Sequence, residues 1–485
     1  MTDEARAKGS RSANRPRRGD ELRLKIDRLA QGGRGVGRAD GFVVFVPLTA
    51  PGDEVIARVK RSHRRFAEAE PLRVLEASGD RVQPPCPYFG ECGGCAWQHL
   101  DYPAQLAGKE QVVRESLERH AGLESPPLRP IVGAEQPLGY RNKMEFSFDG
   151  EVLLGMHRRG FFDQVVGVEH CLLCSAAANR VLQEVRSFVA DSGLSAWDPR
   201  THGGLLRHLV LREGRGTGEL LVGIVTSSDP FPSARTLASR LASLPGVSGV
   251  VRAITDSRSD AVRVDSLEVL HGRDHIFEVL GGRRFKVELE TFFQTNTEQA
   301  EKMVSVVKEM AGLRGTEKVL DLFCGVGTFA LLLAPLAKEV HGLEVVEASI
   351  ESARETARRE GVTNVRFTTG DARRGLPRVL EEMGSPPDLL LLDPPRSGAG
   401  GKVMRRIGRA APRRVLYVSC NPATLASDLG WLLPFGYEVR AVRPLDLFPQ
   451  TPHVETVVHL ERSAQADHLP DPFKGEDKRK SPPGR

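Results

Sequence analysis

No apolar run in this 485-residue chain approaches the ~18–20 residues needed to span a bilayer. The opening stretch MTDEARAKGSRSANRPRRGD lacks the apolar centre of a signal peptide, and Asp3, Glu4 and Asp20 are wrong for a mitochondrial transit peptide. The expectation is a cytoplasmic protein with no membrane contact and no evident obligate protein partner. An excess of one charge is also missing. The 68 Lys+Arg against 63 Asp+Glu leave only +5, so any argument for nucleic acid must rest on local clusters. Cysteine is sparse, with seven residues, and in a reducing compartment these point to metal or catalysis rather than disulfides. What is present is ample apolar content, 40%, on a chain too long for one ordinary core.

The texture changes along the chain. Residues 1–19 and 463–485 read as a disordered basic arm and a disordered tail. Across 20–78, the runs ELRLKIDRLA, GFVVFVPLTA, DEVIARVKRS and AEAEPLRVLEAS are short strands between glycine-rich or Pro-Gly turns, which predicts a small OB-like β-barrel. Its stretch KRSHRRF (60–66) sets cations beside an aromatic, which suits phosphate contact and base stacking and equally suits a solvated hairpin. Residues 79–285 read as a mixed α/β central domain with a cysteine-rich segment. Over 286–462, buried apolar runs such as EKVLDL and PDLLLLDPP alternate with helical stretches, the pattern of a Rossmann-like parallel sheet covered on both faces.

The turn in DLFCGVGTF lets backbone approach a ligand closely, though one G-x-G is weak evidence by itself. Acidic residues at successive strand ends strengthen it: Glu344, Asp371 and Asp393 fall where an open parallel sheet forms its ligand crevice. Ala330 replaces the last glycine of a dinucleotide fingerprint, and residues 317–462 resemble a class I S-adenosylmethionine-dependent methyltransferase.

Three further motifs, FFQTN (292–296), DPPRSG (393–398) and LFPQTPHVETVVHL (447–460), together with SCNPATL, are similar to those of the RNA uridine-5-methyltransferase family. The resemblance covers nearly the whole chain, because the N-terminal barrel resembles the TRAM domain of the ribosomal RNA branch. It implies methylation of C5 of a uridine, in 23S ribosomal RNA, with transfer RNA as the alternative. The chemistry accounts for the residue types. A thiolate adding to C6 makes C5 nucleophilic, and a base then removes the C5 proton so that the thiol can leave. The resemblance makes Cys420 the nucleophile and Glu455 the base. It places cofactor contacts at Gln294, Phe323, Thr328, Glu344, Asp371 and Asp393, with Thr328 standing where relatives often carry asparagine. Taken alone, a strand-end cysteine is more often buried filler; its companion motifs reverse that reading. Cys324, in the cofactor turn, is expected only to pack. A non-catalytic RNA-binding assembly factor is the contrasting reading, opposed by the intact Cys420 and Glu455. Methylation of an exocyclic base nitrogen would want an aromatic where Arg396 stands.

In CPYFGECGGC, Cys86, Cys92 and Cys95 lie close enough for tetrahedral zinc or an iron–sulfur cluster, and spacing does not separate the two. EHCLLC offers Cys171 and Cys174 as a distant fourth ligand. The family resemblance implies a [4Fe-4S] cluster using Cys171, with Cys174 as a substitute. The five-residue first interval differs from that of radical S-adenosylmethionine enzymes. YRNKMEF (140–146) is carried over as an RNA contact through Arg141, Asn142 and Lys143, with an ordinary hairpin as the plain alternative. A uridine in a duplex hides its C6, so the substrate is a loop or a flipped base.

Overall fold

The computed structural model describes residues 15–150, 154–259, 262–468 and 470–474. The chain divides into two compact units: residues up to 90 with 95–108 and 450–452, and residues 91–94, 109–449 and 453 onward. In the first, β1 (Glu21–Leu29), β2 (Gly35–Ala39), β3 (Phe42–Val46), β4 (Glu54–Ser62) and β5 (Phe66–Glu76) close into a barrel in the order β1-β2-β3-β5-β4. Alternate residues turn inward, and Leu24, Ile26, Val44, Val55, Ala57 and Val59 fill the interior. At the end of β4, His63 stacks on Phe66 at 4.5 Å, and Phe66 meets Phe45 edge-on at 5.4 Å. Residues 15–19 of the expected disordered arm are instead held in place. Arg15 bonds Ser62 through its guanidinium, and Gly19 donates to the Val59 carbonyl, because free strand-edge groups offer partners there; residues 1–14 lie outside the described residues.

The second unit begins within α1 (Tyr102–His120) and carries β6 (Lys143–Phe148), β7 (Leu154–His157), β8 (Val165–Gly167), α2 (Ala176–Ser192), β9 (Leu206–Gly214), β10 (Glu219–Thr226), α3 (Ala234–Ala242), β11 (Val247–Ile254) and β12 (Ser266–Gly272). These strands form a sheet ordered β12-β11-β10-β9-β6-β7-β8. A hairpin, β13 (His275–Leu280) and β14 (Arg283–Glu288), and helix α4 (Thr297–Ala311) lead to the second sheet. That sheet contains β15 (Lys318–Leu322), α5 (Thr328–Leu333), β16 (Glu339–Glu344), α6 (Glu347–Arg359), β17 (Val365–Thr369), α7 (Ala372–Met383), β18 (Leu389–Leu392), α8 (Gly401–Ala410), β19 (Arg414–Ser419), α9 (Pro422–Leu432), β20 (Tyr437–Leu445) and β21 (Glu455–Arg462). Its order is β17-β16-β15-β18-β19-β21-β20, parallel except for β21, which runs antiparallel to both neighbours. All four leucines of β18 are buried, as a strand covered on both faces requires. The order reverses between β15 and β18, which opens a crevice at the carboxyl ends of the strands.

Two expectations change. Residues 109–285 share one core with the rest of the second unit, running from Val210 and Leu221 through Phe285 to Leu391 and Val457, while most of 79–108 belongs to the first unit. The tail is not disordered throughout. Phe473 is buried, 5.4 Å from Trp431 and 5.6 Å from Phe435, and Asp471 pairs with Arg409 at 2.8 Å. An aromatic docked on an apolar face offsets the entropy of ordering its neighbours. Residues 469 and 475–485 lie outside the described residues. Among the described residues no helix is long and apolar enough to cross a membrane.

A buried ion pair ties α1 to the segment after β20. Lys109 and Asp446 are both fully buried; Lys109 Nζ donates to Asp446 Oδ1 at 2.5 Å and to the Phe448 carbonyl at 3.1 Å. Removing one partner strands a charge in the interior. We expect Lys109→Met to lower unfolding free energy by about 3–5 kcal/mol in urea titrations, and the Lys109→Met/Asp446→Leu double variant to regain most of it. A double variant as unstable as the single one would show that the pair's charge is not what matters.

Candidate active site

β15 delivers the first residues of the crevice. Asp321 is a fully buried acid in an apolar strand. Its Oδ2 accepts from the Ala330 amide at 2.9 Å, serving the first turn of α5, whose cap Gly327 has no side chain to do so. Its Oδ1 has no partner among the described residues. Burial and the charges of Asp393 and Glu344 push this carboxyl well above its usual range. The turn that follows runs through left-handed backbone at Phe323 (φ 62°), Gly325 (φ 52°) and Gly327 (φ 78°). At Gly327 a Cβ would sit 2.8 Å from the Phe367 ring, so glycine is required there. At Gly325 a Cβ would meet nothing within 4 Å, leaving open space beside the turn.

Glu344, at the end of β16, binds the turn to its neighbour. Its Oε2 accepts from the Gly325 amide at 3.2 Å, and its Oε1 from Val345 and Val346 at 2.8 and 3.0 Å. A carboxylate has about four acceptor sites, so capacity remains for a ligand hydroxyl. Asp371 follows β17 as the cap of α7, accepting from the Arg374 amide at 3.0 Å, and stays exposed. Thr328 opens α5 half-buried, and Phe323 is half-buried beside it. Cys324 packs as expected, buried, with its thiol pushed up by burial.

The second cluster gathers at the ends of β18, β19 and β21. Asp393 follows β18, Cys420 follows β19, and Glu455 opens β21. Burial pushes Asp393 up to about 7. Burial and then the Asp393 charge push Glu455 up to about 8, against the opposing pull of Arg396. The Cys420 thiol is pushed up to about 11 by burial and by the charges of Glu455 and Asp393, with Arg396 again opposing. The Glu455 and Asp393 charges act on Cys420, and the Asp393 charge on Glu455, so the three side chains share one site. Arg396 donates to His453 Nδ1 at 2.9 Å, and burial together with the Arg396, Lys109 and Arg141 charges lowers that imidazole to about 4, so it stays neutral.

The loop carrying Arg396 is held by α9. Asp428 accepts from the Ala399 and Gly400 amides at 2.7 and 3.0 Å and from the Tyr417 hydroxyl at 2.6 Å, while Asn421 Nδ2 donates to the Arg396 carbonyl at 3.0 Å. Asn421 also caps α9. The Asn-Pro break thus positions Cys420 at the mouth of the crevice and anchors the loop opposite. Gln294 is placed by its backbone: Asn142 Nδ2 donates to its carbonyl at 3.0 Å, and the next motif residue, Asn296, donates to the Leu447 carbonyl at 3.1 Å. Asn142 is buried in this role and Tyr140 is buried with its hydroxyl on the Pro449 carbonyl, so Asn142 does not face RNA as expected; Arg141 and Lys143 remain partly open. Asp321, Arg396 and His453 went unassigned from sequence, although a lone acid between the leucines of KVLDL was a signal for the first.

These residues fit S-adenosylmethionine. The orphaned buried Oδ1 of Asp321, the open space at Gly325, and the like-charged trio Asp321, Glu344 and Asp393 together favour a compact ligand bearing positive charge. The cysteines are different. Cys92 Sγ accepts from the Gly94 amide at 3.4 Å; Cys171 bonds the Cys174 thiol, which lowers Cys171 to about 7 and pushes Cys174 up. The donor chemistry suits a cluster, but among the described residues no group of three or more His, Cys, Asp or Glu side chains is gathered as a metal site.

Comparison with known proteins agrees with this geometry. Residues 313–428 match a methyltransferase domain and residues 15–72 a TRAM domain. An uncharacterized RNA methyltransferase of Nitratidesulfovibrio vulgaris is 41% identical over 462 residues, covering 93% of this chain and 98% of the relative. One from Halalkalibacterium halodurans is 35% identical over 446 residues, covering 91% and 97%. The crystal structure of Pyrococcus abyssi tRNA (uracil-54, C5)-methyltransferase with S-adenosyl-L-homocysteine superimposes with a TM-score of 0.73 at 29% identity, covering 90% of this chain and 99% of that one. With a class I crevice, a TRAM barrel and full-length relatives of this kind, the chain belongs to the RNA uridine-5-methyltransferase family.

Proposed function

We propose that the protein methylates C5 of a specific uridine in 23S ribosomal RNA through a covalent adduct. The observation that carries this reading is the placing of Cys420 beside Glu455 and Asp393, whose charges add to burial in raising the thiol while Arg396 opposes them. The Cys420 thiolate adds to uracil C6, forming the C6–S bond and moving the ring electrons toward C5 and O4. S-adenosylmethionine, when bound, supplies the methyl group and its positive charge. Gln294, Phe323, Thr328, Glu344, Asp371 and Asp393 would hold it, with Asp321 beneath. Glu455 then takes the C5 proton, and the C6–S bond breaks to restore the aromatic ring and the thiolate. The Arg396 guanidinium stabilises the thiolate at the start and the end of the cycle. The neutral His453 fixes that guanidinium in place.

A second reading, the same chemistry on transfer RNA, is favoured by the similarity to the Pyrococcus abyssi enzyme, a tRNA uracil-54 methyltransferase. Mapping 5-methyluridine in ribosomal and transfer RNA of a deletion strain separates the two: one lost site in 23S RNA supports the first, one in tRNA the second, and no lost site defeats both. The reading places the reaction in the cytoplasm.

The proposal includes a [4Fe-4S] cluster held by Cys86, Cys92, Cys95 and Cys171, supported by three thiols within ten residues. No step of the reaction passes through it. Anaerobically purified protein is expected to carry about four iron atoms per chain with broad visible absorbance, lost in Cys92→Ser. Stoichiometric zinc or no metal would overturn the assignment.

A further inference from the structure

One face of the central sheet carries a cavity of about 430 Å³ that the reaction scheme leaves unused. On β6, Lys143, Glu145 and Ser147 share a face by the two-residue period; β9 runs beside it with Arg212 opposite Lys143 and His208 opposite Ser147. All five line the cavity. Ser147 Oγ joins His157 Nε2 at 3.1 Å to His208 Nδ1 at 3.2 Å, and Lys143 pairs with Glu145 at 2.7 Å. Arg212 is only 2% exposed. Its Nη2 reaches the Thr291 carbonyl, but among the described residues its buried Nε has no acceptor and the buried hydroxyl of Thr295, also in the lining, has no partner. A guanidinium taken out of water with an unused donor is costly, and this one is kept in the cavity wall. At the rim stands Phe292, 74% exposed.

We infer that this cavity receives one unpaired nucleobase of the substrate RNA, a nucleotide flanking the methylated uridine. The inference rests on the proposed RNA substrate. The lining offers donors at Arg212 and Lys143, acceptors at Glu145, and hydroxyls at Ser147 and Thr295. Such a mixed set matches the edges of a base, whereas a phosphate would call for donors alone. Met156 and Val262 supply apolar wall and Phe292 a ring for stacking. The volume lies in the small-ligand range. The cavity also adjoins the reaction centre. Phe292, Phe293 and Thr295 bracket Gln294, and the charge of its Arg141 is felt at His453. A strand that delivers uracil to Cys420 therefore has a neighbouring nucleotide within reach of this face, and the pocket reads sequence context beside the target.

The test is an abasic scan. A stem-loop transcript bearing the methylated uridine is made with single abasic nucleotides at each flanking position, and kcat/KM and binding are measured for wild type, Arg212→Met and Ser147→Ala. One flanking position is expected to cost wild type about tenfold or more. Arg212→Met should lose a comparable factor on intact RNA and nothing further at that position, with Ser147→Ala intermediate. The Ser147→Ala change removes a single hydroxyl and keeps the test available if the buried arginine proves necessary for folding. Abasic penalties equal in all three proteins, or absent throughout, would overturn the inference, as would saturable binding of free nucleoside monophosphate with no dependence on flanking bases. The 5-methyluridine product is counted separately by nuclease digestion and mass spectrometry. Its absence alongside a position-specific binding penalty defeats the proposed reaction while leaving the pocket assigned.

Discussion

Cys420→Ala is expected to reduce methyl transfer by about ten-thousandfold or more, because without the C6 adduct uracil C5 has no nucleophilic character to lend. The same variant should form no denaturation-resistant complex with RNA carrying 5-fluorouridine at the target, which wild type should trap in the presence of cofactor. Fluorine cannot leave C5 as a cation, so the adduct stalls after methylation. RNA binding should remain near wild type, since Cys420 is one half-buried thiol among many contacts. Retained methyl transfer together with retained trapping would dismiss Cys420 as the nucleophile. A second signature follows from its surroundings. Burial, with the charges of Glu455 and Asp393, pushes the thiol up to about 11 while Arg396 opposes them. Arg396→Met should therefore slow thiol alkylation at pH 8, and a bound cationic cofactor should accelerate it.

Glu455→Gln should fail later in the cycle. The amide cannot take the C5 proton, so turnover is expected to fall by about 10²–10⁴-fold while the methylated adduct accumulates on ordinary uridine RNA. Denaturing gels with methyl-labelled cofactor would show label in the protein–RNA band; label appearing only in free RNA at the wild-type rate would rule out Glu455 as the base. The pH dependence has a definite sign. A base must be ionised, and Glu455 is raised to about 8, so wild-type turnover should climb with pH through that value. Stability runs the other way. A carboxyl raised above its unfolded value stabilises the fold fully below the unfolded pKa, and that contribution is lost as pH rises through about 8. Asp393, raised to about 7, acts in the same direction. Melting temperature should fall less between pH 5 and 8 in Glu455→Gln than in wild type. An identical decline in both would place the charge cost elsewhere.

The activity and the destabilisation have one origin. Three carboxyls and a thiol are crowded at strand ends where burial disfavours their charges. A protein selected for stability alone would not place them together; the proposed reaction, with a cationic cofactor and a uracil ring brought to this site, gives a reason to.

Sequence alone determined the features set by local pattern. The leucine run of β18 and the alternation in the barrel strands follow from periods of burial, and the acids at 344, 371 and 393 follow from where such strands must end. The motifs around Cys420 and Glu455 carried the chemistry, because it needs a thiol and a base whatever the fold. Only the tertiary structure decided which side chains see one another. The Arg396–His453 contact joins residues 57 apart, the Lys109–Asp446 pair residues 337 apart, and the Ser147–His208 link strands separated by a helix. It also turned Asn142 inward to hold Gln294, left the Arg212 Nε buried without an acceptor among the described residues, and docked Phe473 where composition had suggested only disorder. Composition and periodicity report which face of an element is buried. Which partner lies opposite is fixed by strand order and register, and that is where the site's electrostatics arise.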